Sequence, residues 1–362
     1  MTSVFLNWAY IGEVRNAQAF LEEIKAKRRA GKIPLEFNVY YDEDTDEILI
    51  NTDNGRLRRP LIVVEDGKPK LTEEHIQKIM EGKLKWSDLV KEGIIEYLDA
   101  DEEEEAYIAL TPEEVTKKHT HLELHPSVIL GLSANFIPFA EFDRGDRVNY
   151  GAKMVGQSIG MYALNFYQRV DTKSNVLIYP QIPIVQTRMN TIKNFQNHAG
   201  GHNVVIAVAC YDGYNMEDAI VFNEGSIQRG LFWSMMFRTY EGEEKRYMGG
   251  QEDVIGIPEP GIRGYPGEDA YKHLPEDGIV NPETPVESDQ ILIGRMSPLR
   301  FLGSMDQFIT GLENIRETSI RLRHGDKGIV DRVFITESAN GNKLVKVVVR
   351  DLKVPEIGDK FA

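Results

Sequence analysis

The chain is poor in three things, and each shortage excludes a class of protein. Only one of its 362 residues is cysteine, Cys210. It therefore forms no internal disulfide and offers no thiolate set for zinc, which excludes disulfide scaffolds and zinc ribbons. Positive charge is in deficit, with 42 Lys and Arg against 57 Asp and Glu and a net charge of -15. This excludes coating of nucleic acid or anionic lipid by bulk charge, so any nucleic-acid contact must be a local basic patch. No apolar run approaches the ~20 residues of a membrane helix. The start, Met1 to Tyr10, lacks a basic flank, a long apolar stretch and a small-residue cleavage site. These features predict a soluble, unsecreted protein of the reducing cytoplasm with no membrane partner. There is also no G-x-x-x-x-G-K-[ST] phosphate loop and no G-x-S-x-G elbow, so a self-contained NTPase or serine hydrolase has no support. Gly261, Gly264 and Gly267 are interrupted by Pro266 and follow no strand, and they read as loop glycines.

What is present suits a large core: 41% of residues are hydrophobic and 27% charged, a length that predicts two to four domains. In Asn16–Gly31 the apolar residues Ala17, Phe20, Leu21 and Ile24 fall on one helix face. Asn16 can cap the start and Gly31 the end, while Lys25, Lys27, Arg28 and Arg29 complement the C-terminal dipole. Strands are expected over Phe37–Tyr41, Glu47–Asn51 and Pro60–Glu65, completing a small α+β unit of about 65 residues. Thr72 opens a short helix carrying Ile76, Ile79 and Met80, and Ser87 opens another carrying Leu89 and Val90. The run Asp99, Asp101, Glu102 to Glu105 reads as a solvated loop or helix start, with a surface for a basic partner as the alternative. Farther on, Gly151–Gln168 predicts a long, well-buried helix, because Met154, Ile159, Met161, Leu164 and Phe166 surround much of it. Val204–Ala209 and Ala219–Phe222 are continuous apolar runs and predict buried central strands. Extended loops and short strands are expected between Glu241 and Pro298. Ile329–Thr336 and Lys343–Arg350 predict a hairpin through Asn340-Gly341.

Two polar constellations stand out. His119, His121, Glu123 and His125 alternate as on one face of a strand, which could supply zinc ligands to a metallohydrolase. A straight strand spreads them over about 20 Å at ~3.3 Å per residue, however, and a half-exposed strand with Leu122 and Leu124 turned inward serves equally well. The sharper feature is Tyr211-Asp-Gly-Tyr-Asn-Met-Glu-Asp218, where carboxylates and an amide in a glycine turn suit a magnesium site or its surroundings. An acidic turn bonding its own backbone remains the alternative. Arg144, Arg147, Lys153 and Lys360 could add the cations that a phosphate-handling cleft needs.

At these residues the sequence closely resembles the second-largest subunit of multisubunit DNA-dependent RNA polymerase, in its archaeal and eukaryotic form. The resemblance rests on a collinear series: Arg28-Arg-x-Gly-x-Ile33, Thr52-Asp-x-Gly-Arg56, Arg59-Pro-Leu-Ile-Val-Val-Glu65, Leu124-His-Pro-Ser-Val-Ile-Leu-Gly131, Tyr179-Pro-Gln-x-Pro183, Gly213-Tyr-Asn-Met-Glu-Asp218, Phe237-Arg-Thr-Tyr240, Arg321–Gly328 and Ile357-Gly-Asp-Lys-Phe-Ala362. It implies a multidomain α+β chain: a first external domain over 1–65, a second over 66–112 and the end of the fork region over 113–140. A mixed α/β hybrid-binding region over 141–233 and 354–362 would be interrupted by a β-rich wall, or flap, over 234–353.

The resemblance also implies roles. Glu217 and Asp218 would help position the second, nucleotide-borne magnesium, most of the metal binding coming from the largest subunit; no zinc is implied here. Arg147 would contact the triphosphate. Gln157 and Lys360 would lie near the RNA 3′ end, with Tyr150, Arg144 and Lys153 completing the substrate and nucleic-acid contacts. The implied partners are the largest subunit, the remaining parts of the B subunit, small assembly subunits, DNA template, RNA product, nucleoside triphosphates and initiation factors. Activity is expected only in the assembled enzyme.

Two departures qualify the match. The family has a stretch close to E-H-N-x-S-P-R-N where this chain has Glu141-Phe-Asp-Arg-Gly-Asp-Arg-Val148, so Arg144 is an alternative to Arg147, and a diverged, non-catalytic scaffold or regulatory module is the alternative function. The family has Lys-Gln where Gly156-Gln157 stands here. Family members also begin before Met1 and continue past Ala362, for which a split gene or an intein junction is the expectation.

Overall fold

Residues 1–247, 250–299 and 315–361 are described by a computed structural model of the chain, and they are α+β, in two units, Met1–Leu132 and Ser133–Ala362. Residues 248, 249 and 300–314, within the stretch expected to be the wall, and Ala362, at the end of the expected hybrid-binding region, lie outside the described residues.

The first unit opens with β1 (Thr2–Leu6), β2 (Ala9–Val14), α1 (Ala17–Arg29), β3 (Asn38–Asp42) and β4 (Glu47–Asn51), the strands ordered β2-β1-β4-β3 with only β1 and β4 parallel. α1 lays Leu21 and Ile24 on this sheet against Val4, Val39, Ile48 and Ile50. Asn16 caps it as its sequence position predicts, its side chain accepting from Ala19 N–H at 3.1 Å. A second sheet centres on β5 (Arg59–Glu65), flanked by β6 (Lys68–Pro69), β7 (Ile95–Leu98) and β9 (His121–Leu122), with β8 (Ile108–Ala109) beside β9. Between these strands run α2 (Glu73–Met80), α3 (Trp86–Lys91) and α4 (Ala100–Glu104). α3 starts one residue before Ser87 and buries Leu89 and Val90, whereas Ile76, Ile79 and Met80 of α2 are exposed.

The acidic run is a helix start, as one of its two readings has it, with Glu104 and Glu105 exposed, but it is not solvated throughout. Asp99 caps α4, accepting from Glu102 N–H at 3.0 Å, and both Asp99 and Glu102 are buried. They are buried because cations come to them from within the chain. Arg28 lies seven residues after Leu21, on the same inward face of α1, and is 1% exposed. Its guanidinium donates two 2.7 Å bonds to the two Glu102 oxygens, a bidentate pair, and one to Glu96 at 2.9 Å. Arg29 adds two bonds to Glu96, and Arg56 binds Asp99 and Asp101. The basic partner of the acidic run is therefore α1 and the Arg56 strand entry of this same unit. Arg28, expected to complement the C-terminal dipole of α1, stands in its last turn and is also a core residue.

The histidine row is corrected in the same way. His121 and Glu123 are buried rather than half-exposed, because Glu96 and Arg59 face them: His121 Nε2 lies 2.6 Å from Glu96 Oε1, and Arg59 donates to Glu123 at 2.7 Å. His119 stacks on Tyr107 at 4.4 Å and His125 bonds Ser127, so each imidazole has its own neighbour.

The second unit is built on an antiparallel sheet ordered β10-β11-β19-β18-β13, from β10 (Lys173–Leu177), β11 (Ser234–Glu243), β13 (Pro285–Val286), β18 (Gly328–Glu337) and β19 (Lys343–Lys353). The hairpin β18–β19 turns where Asn340-Gly341 predicts, with Gly341 at φ 74°. Short strands β12 (Val254–Ile255), β14 (Ile291–Ile293), β15 (Arg295–Pro298), β16 (Ile315–Glu317) and β17 (Ile320–Arg321) pair beside it, as the Gly- and Pro-dense stretch suggests. Ile291, Leu292, Ile293, Val330, Val345 and Val347 form its driest core, each at 0% exposure. Helix α5 (Gly145–Gln157) precedes β10, and α6 (Arg188–Ile192) and α7 (Glu224–Gln228) lie in the connection between β10 and β11.

Three expectations fail here. The long buried helix is instead α5, which begins earlier, stops at Gln157 and has no fully buried residue. Val204–Ala209 and Ala219–Phe222 form no strand, and Val205 and Val208 are fully exposed. A strand is a property of pairing as much as of sequence, and among the described residues no sheet edge reaches these runs.

Candidate nucleotide and nucleic-acid interface

α5 separates two kinds of residue. Successive side chains turn by about 100°, so Val148, Gly151, Ala152 and Val155 share one stripe, and these are the half-buried ones. That stripe packs on the turn Ala134–Phe136; a Cβ at Gly151 would lie 3.0 Å from Ile137 Cδ1. The exposed arc carries Tyr150, Lys153 and Gln157 opposite that stripe and Arg147 at its edge. Arg147 sits over the Tyr150 ring at 5.7 Å, a cation–π contact that pre-orients the guanidinium without neutralising it. Arg144 precedes the helix as its cap residue and pairs with Asp146 at 3.3 Å. Of the two arginines proposed for one role, Arg147 is therefore the one on the exposed arc.

The C-terminal end of α5 is fixed by backbone packing. A Cβ at Gly160 would lie 2.3 Å from Gly200 Cα, an approach only glycine permits. Gly160→Ala is expected to lower the stability of the second unit by about 1–3 kcal/mol, read as a drop in urea midpoint; an unchanged midpoint would show that the approach is not needed.

The acidic turn is exposed except at the half-buried Asn215. Asn215 organises its first half, accepting from Tyr211 N–H at 3.0 Å and donating to Ala209 O at 2.6 Å. The second half is a Met216–Ala219 turn whose two central residues, Glu217 and Asp218, both have positive φ, 54° and 68°. For non-glycine residues this backbone is uncommon, and such strain tends to gather at functional sites. Neither carboxylate has a hydrogen bond or ion pair among the described residues, and none joins them to Arg147, Lys153 or Lys360.

Lys360 lies in the exposed tail after β19, and the neighbouring Phe361 ring reaches Phe222 at 4.6 Å and Phe232 at 5.6 Å. The structure thus gathers Arg147, Tyr150, Lys153 and Gln157 on one helix face and brings the Lys360 tail to the segment that follows Glu217 and Asp218. The ring contacts around Phe222 and Phe232 had no signal in periodicity or motif spacing.

Two adjacent oxygen-donor side chains suit a hard divalent cation such as magnesium. No cluster of three or more His, Cys, Asp or Glu side chains able to hold a metal occurs among the described residues, so Glu217 and Asp218 do not by themselves complete one.

The family model for RNA polymerase Rpb2, domain 6 matches residues 133–362, that for domain 4 matches residues 4–65 and that for domain 5 matches residues 86–126. DNA-directed RNA polymerase subunit Rpo2 of Sulfolobus acidocaldarius is 47% identical over 363 positions, covering 100% of this chain and 32% of that protein. DNA-directed RNA polymerase II subunit RPB2 of Encephalitozoon cuniculi is 36% identical, with the same coverage. DNA-directed RNA polymerase II subunit 2 of Arabidopsis thaliana is 35% identical, again over 100% of this chain and 32% of the relative. The chain spans about a third of the length of the curated relatives it matches.

Proposed function

This chain belongs to the RNA polymerase Rpb2 family of second-largest polymerase subunits, and from that premise we propose that it supplies part of the active centre and of the RNA–DNA hybrid site for template-directed RNA synthesis. The observation that carries the proposal lies within the residues matched to domain 6: an exposed helix face bearing Arg147, Tyr150, Lys153 and Gln157, and a strained, exposed turn whose Glu217 and Asp218 carboxylates have no hydrogen-bond or ion-pair partner among the described residues. Charges with no structural use are what a site completed by other chains requires.

The roles follow from the chemistry of each group. Arg147 would bind triphosphate oxygens, where a guanidinium offers paired donors and stabilises developing negative charge. Lys360 and Lys153 would neutralise phosphates, and the Gln157 amide would bond sugar or base edges near the RNA 3′ end. Tyr150 would keep Arg147 oriented, with Arg144 at the rim. Glu217 and Asp218 would hold a nucleotide-borne magnesium through direct or water-mediated oxygens, the remaining ligands coming from the largest subunit. Bound there, magnesium offsets phosphate charge and orients the nucleotide. The chain alone is inert on this proposal. Its partners are the other polymerase subunits, the rest of the B subunit, template, RNA, nucleoside triphosphates and initiation factors, within the transcription apparatus of the cytoplasm. The assignments of 1–65 and 66–112 as external domains, 113–140 as the end of the fork, 141–233 with 354–362 as the hybrid-binding region and 234–353 as the wall belong to the same proposal.

The test is a crosslink. In polymerase assembled with this chain and halted on a template, a photoreactive nucleotide at the RNA 3′ end is expected to label peptides containing 145–157 or 211–218. An active complex whose RNA 3′ end labels this chain only within Met1–Leu132 would contradict the proposal.

A further inference from the structure

The segment after β19 meets the segment following the acidic turn through aromatic ring contacts. Phe361 meets Phe222 at 4.6 Å and Phe232 at 5.6 Å, and Phe222 meets Phe232 edge to face at 6.0 Å. Among the described residues, the hydrogen bonds of 354–361 stay within the tail, between Asp359 and Glu356. Phe232 has a left-handed backbone, φ 55°, which a bulky side chain adopts only when its surroundings impose it. His202 braces it: its ring stacks on Phe232 at 5.1 Å and 11°, and its Nδ1 accepts from Phe232 N–H at 3.2 Å. Burial lowers the His202 pKa, in keeping with a neutral ring that accepts at Nδ1. Phe222 follows Asp218 by four residues, and Phe361 follows Lys360 directly.

We propose that Phe222, Phe232 and Phe361, braced by His202, are positioning residues that fix the Lys360 ammonium against the segment carrying Glu217 and Asp218. The proposal rests on the assignment of Lys360 to phosphate contact made above. An ammonium on a loosely held segment would sample many positions, and a misplacement of about 1 Å costs on the order of 10²-fold in rate. The three-ring contact confines it without spending any polar group that the site needs.

The experiment is a double-mutant cycle in the complete reassembled polymerase, reading single-nucleotide addition after confirming that each variant assembles. Phe361→Ala is expected to slow addition about 10- to 100-fold, and Phe361→Tyr, which keeps the ring, to restore it to within about threefold. Lys360→Ala is expected to lose at least as much as Phe361→Ala. The combination Lys360→Ala with Phe361→Ala should match Lys360→Ala within about twofold, because the ring acts only through the ammonium. Losses that multiply in the combined variant would overturn the positioning role while leaving the assignment of Lys360 intact, as would a normal rate for Phe361→Ala. A normal rate for Lys360→Ala would instead overturn that assignment, and the positioning role with it.

Discussion

Arg28→Met destabilises the first unit by about 3–5 kcal/mol, the expected result of leaving buried carboxylates without their cation. Glu102 and Glu96 are only 2% and 3% exposed. Without Arg28, Glu102 keeps Asn38 at 2.8 Å and the Lys25 ammonium at 4.0 Å, and Glu96 keeps Arg29 and His121. Most of the loss therefore falls on Glu102, and combining Arg28→Met with Glu102→Gln should recover part of it by removing the stranded charge. Hydrogen exchange of β3 and β7 amides in the full chain measures the effect locally; a change below about 1 kcal/mol would show that the network is not holding the two sheets.

The same network sets an acid limit. Burial alone would raise the Glu96 pKa, but the hydrogen bonds from His121 and Arg29 and the charges of Arg28 and Arg29 overcome it and hold Glu96 well below the usual carboxylate range. Its folded pKa lies below its unfolded one, so its contribution is complete above the unfolded value of about 4.3 and disappears as pH falls through the folded value. Exchange protection of β7 is expected to hold from neutrality to about pH 5 and decline below about pH 4.

Local structure was legible wherever a short-range signal decides it. α1 follows its apolar spacing and Asn16 cap, and the β18–β19 hairpin follows Asn340-Gly341. What failed depended on neighbours far along the chain. Asp99 and Glu102 look solvated in sequence because Arg28 and Arg56 lie some seventy and forty residues away, separations that the side-chain bonds record as 74 and 43. Val204–Ala209 has the composition of a buried strand, but composition does not supply the strand it would pair with. Within the candidate site, the acidic turn was legible from residue type and Arg147, Tyr150, Lys153 and Gln157 from motif. Their common face on α5 was not, because the helix was expected to begin six residues later, at Gly151, which left Arg147 and Tyr150 outside it.

The acidic turn is the centre of the functional proposal, and Asp218→Asn tests it most directly. Asparagine tolerates the left-handed backbone that Asp218 adopts and keeps its size, so the substitution removes charge without disturbing the turn, and assembly should be unaffected. Nucleotide addition by the reassembled polymerase is expected to slow about 10²–10³-fold, the range for losing one preorganised electrostatic contact at a reacting centre. Raised magnesium should recover part of that loss, since an amide oxygen still binds a hard cation, though more weakly than a carboxylate. Equal rates for wild type and Asp218→Asn at every magnesium concentration would contradict the proposal and leave the turn a structural feature.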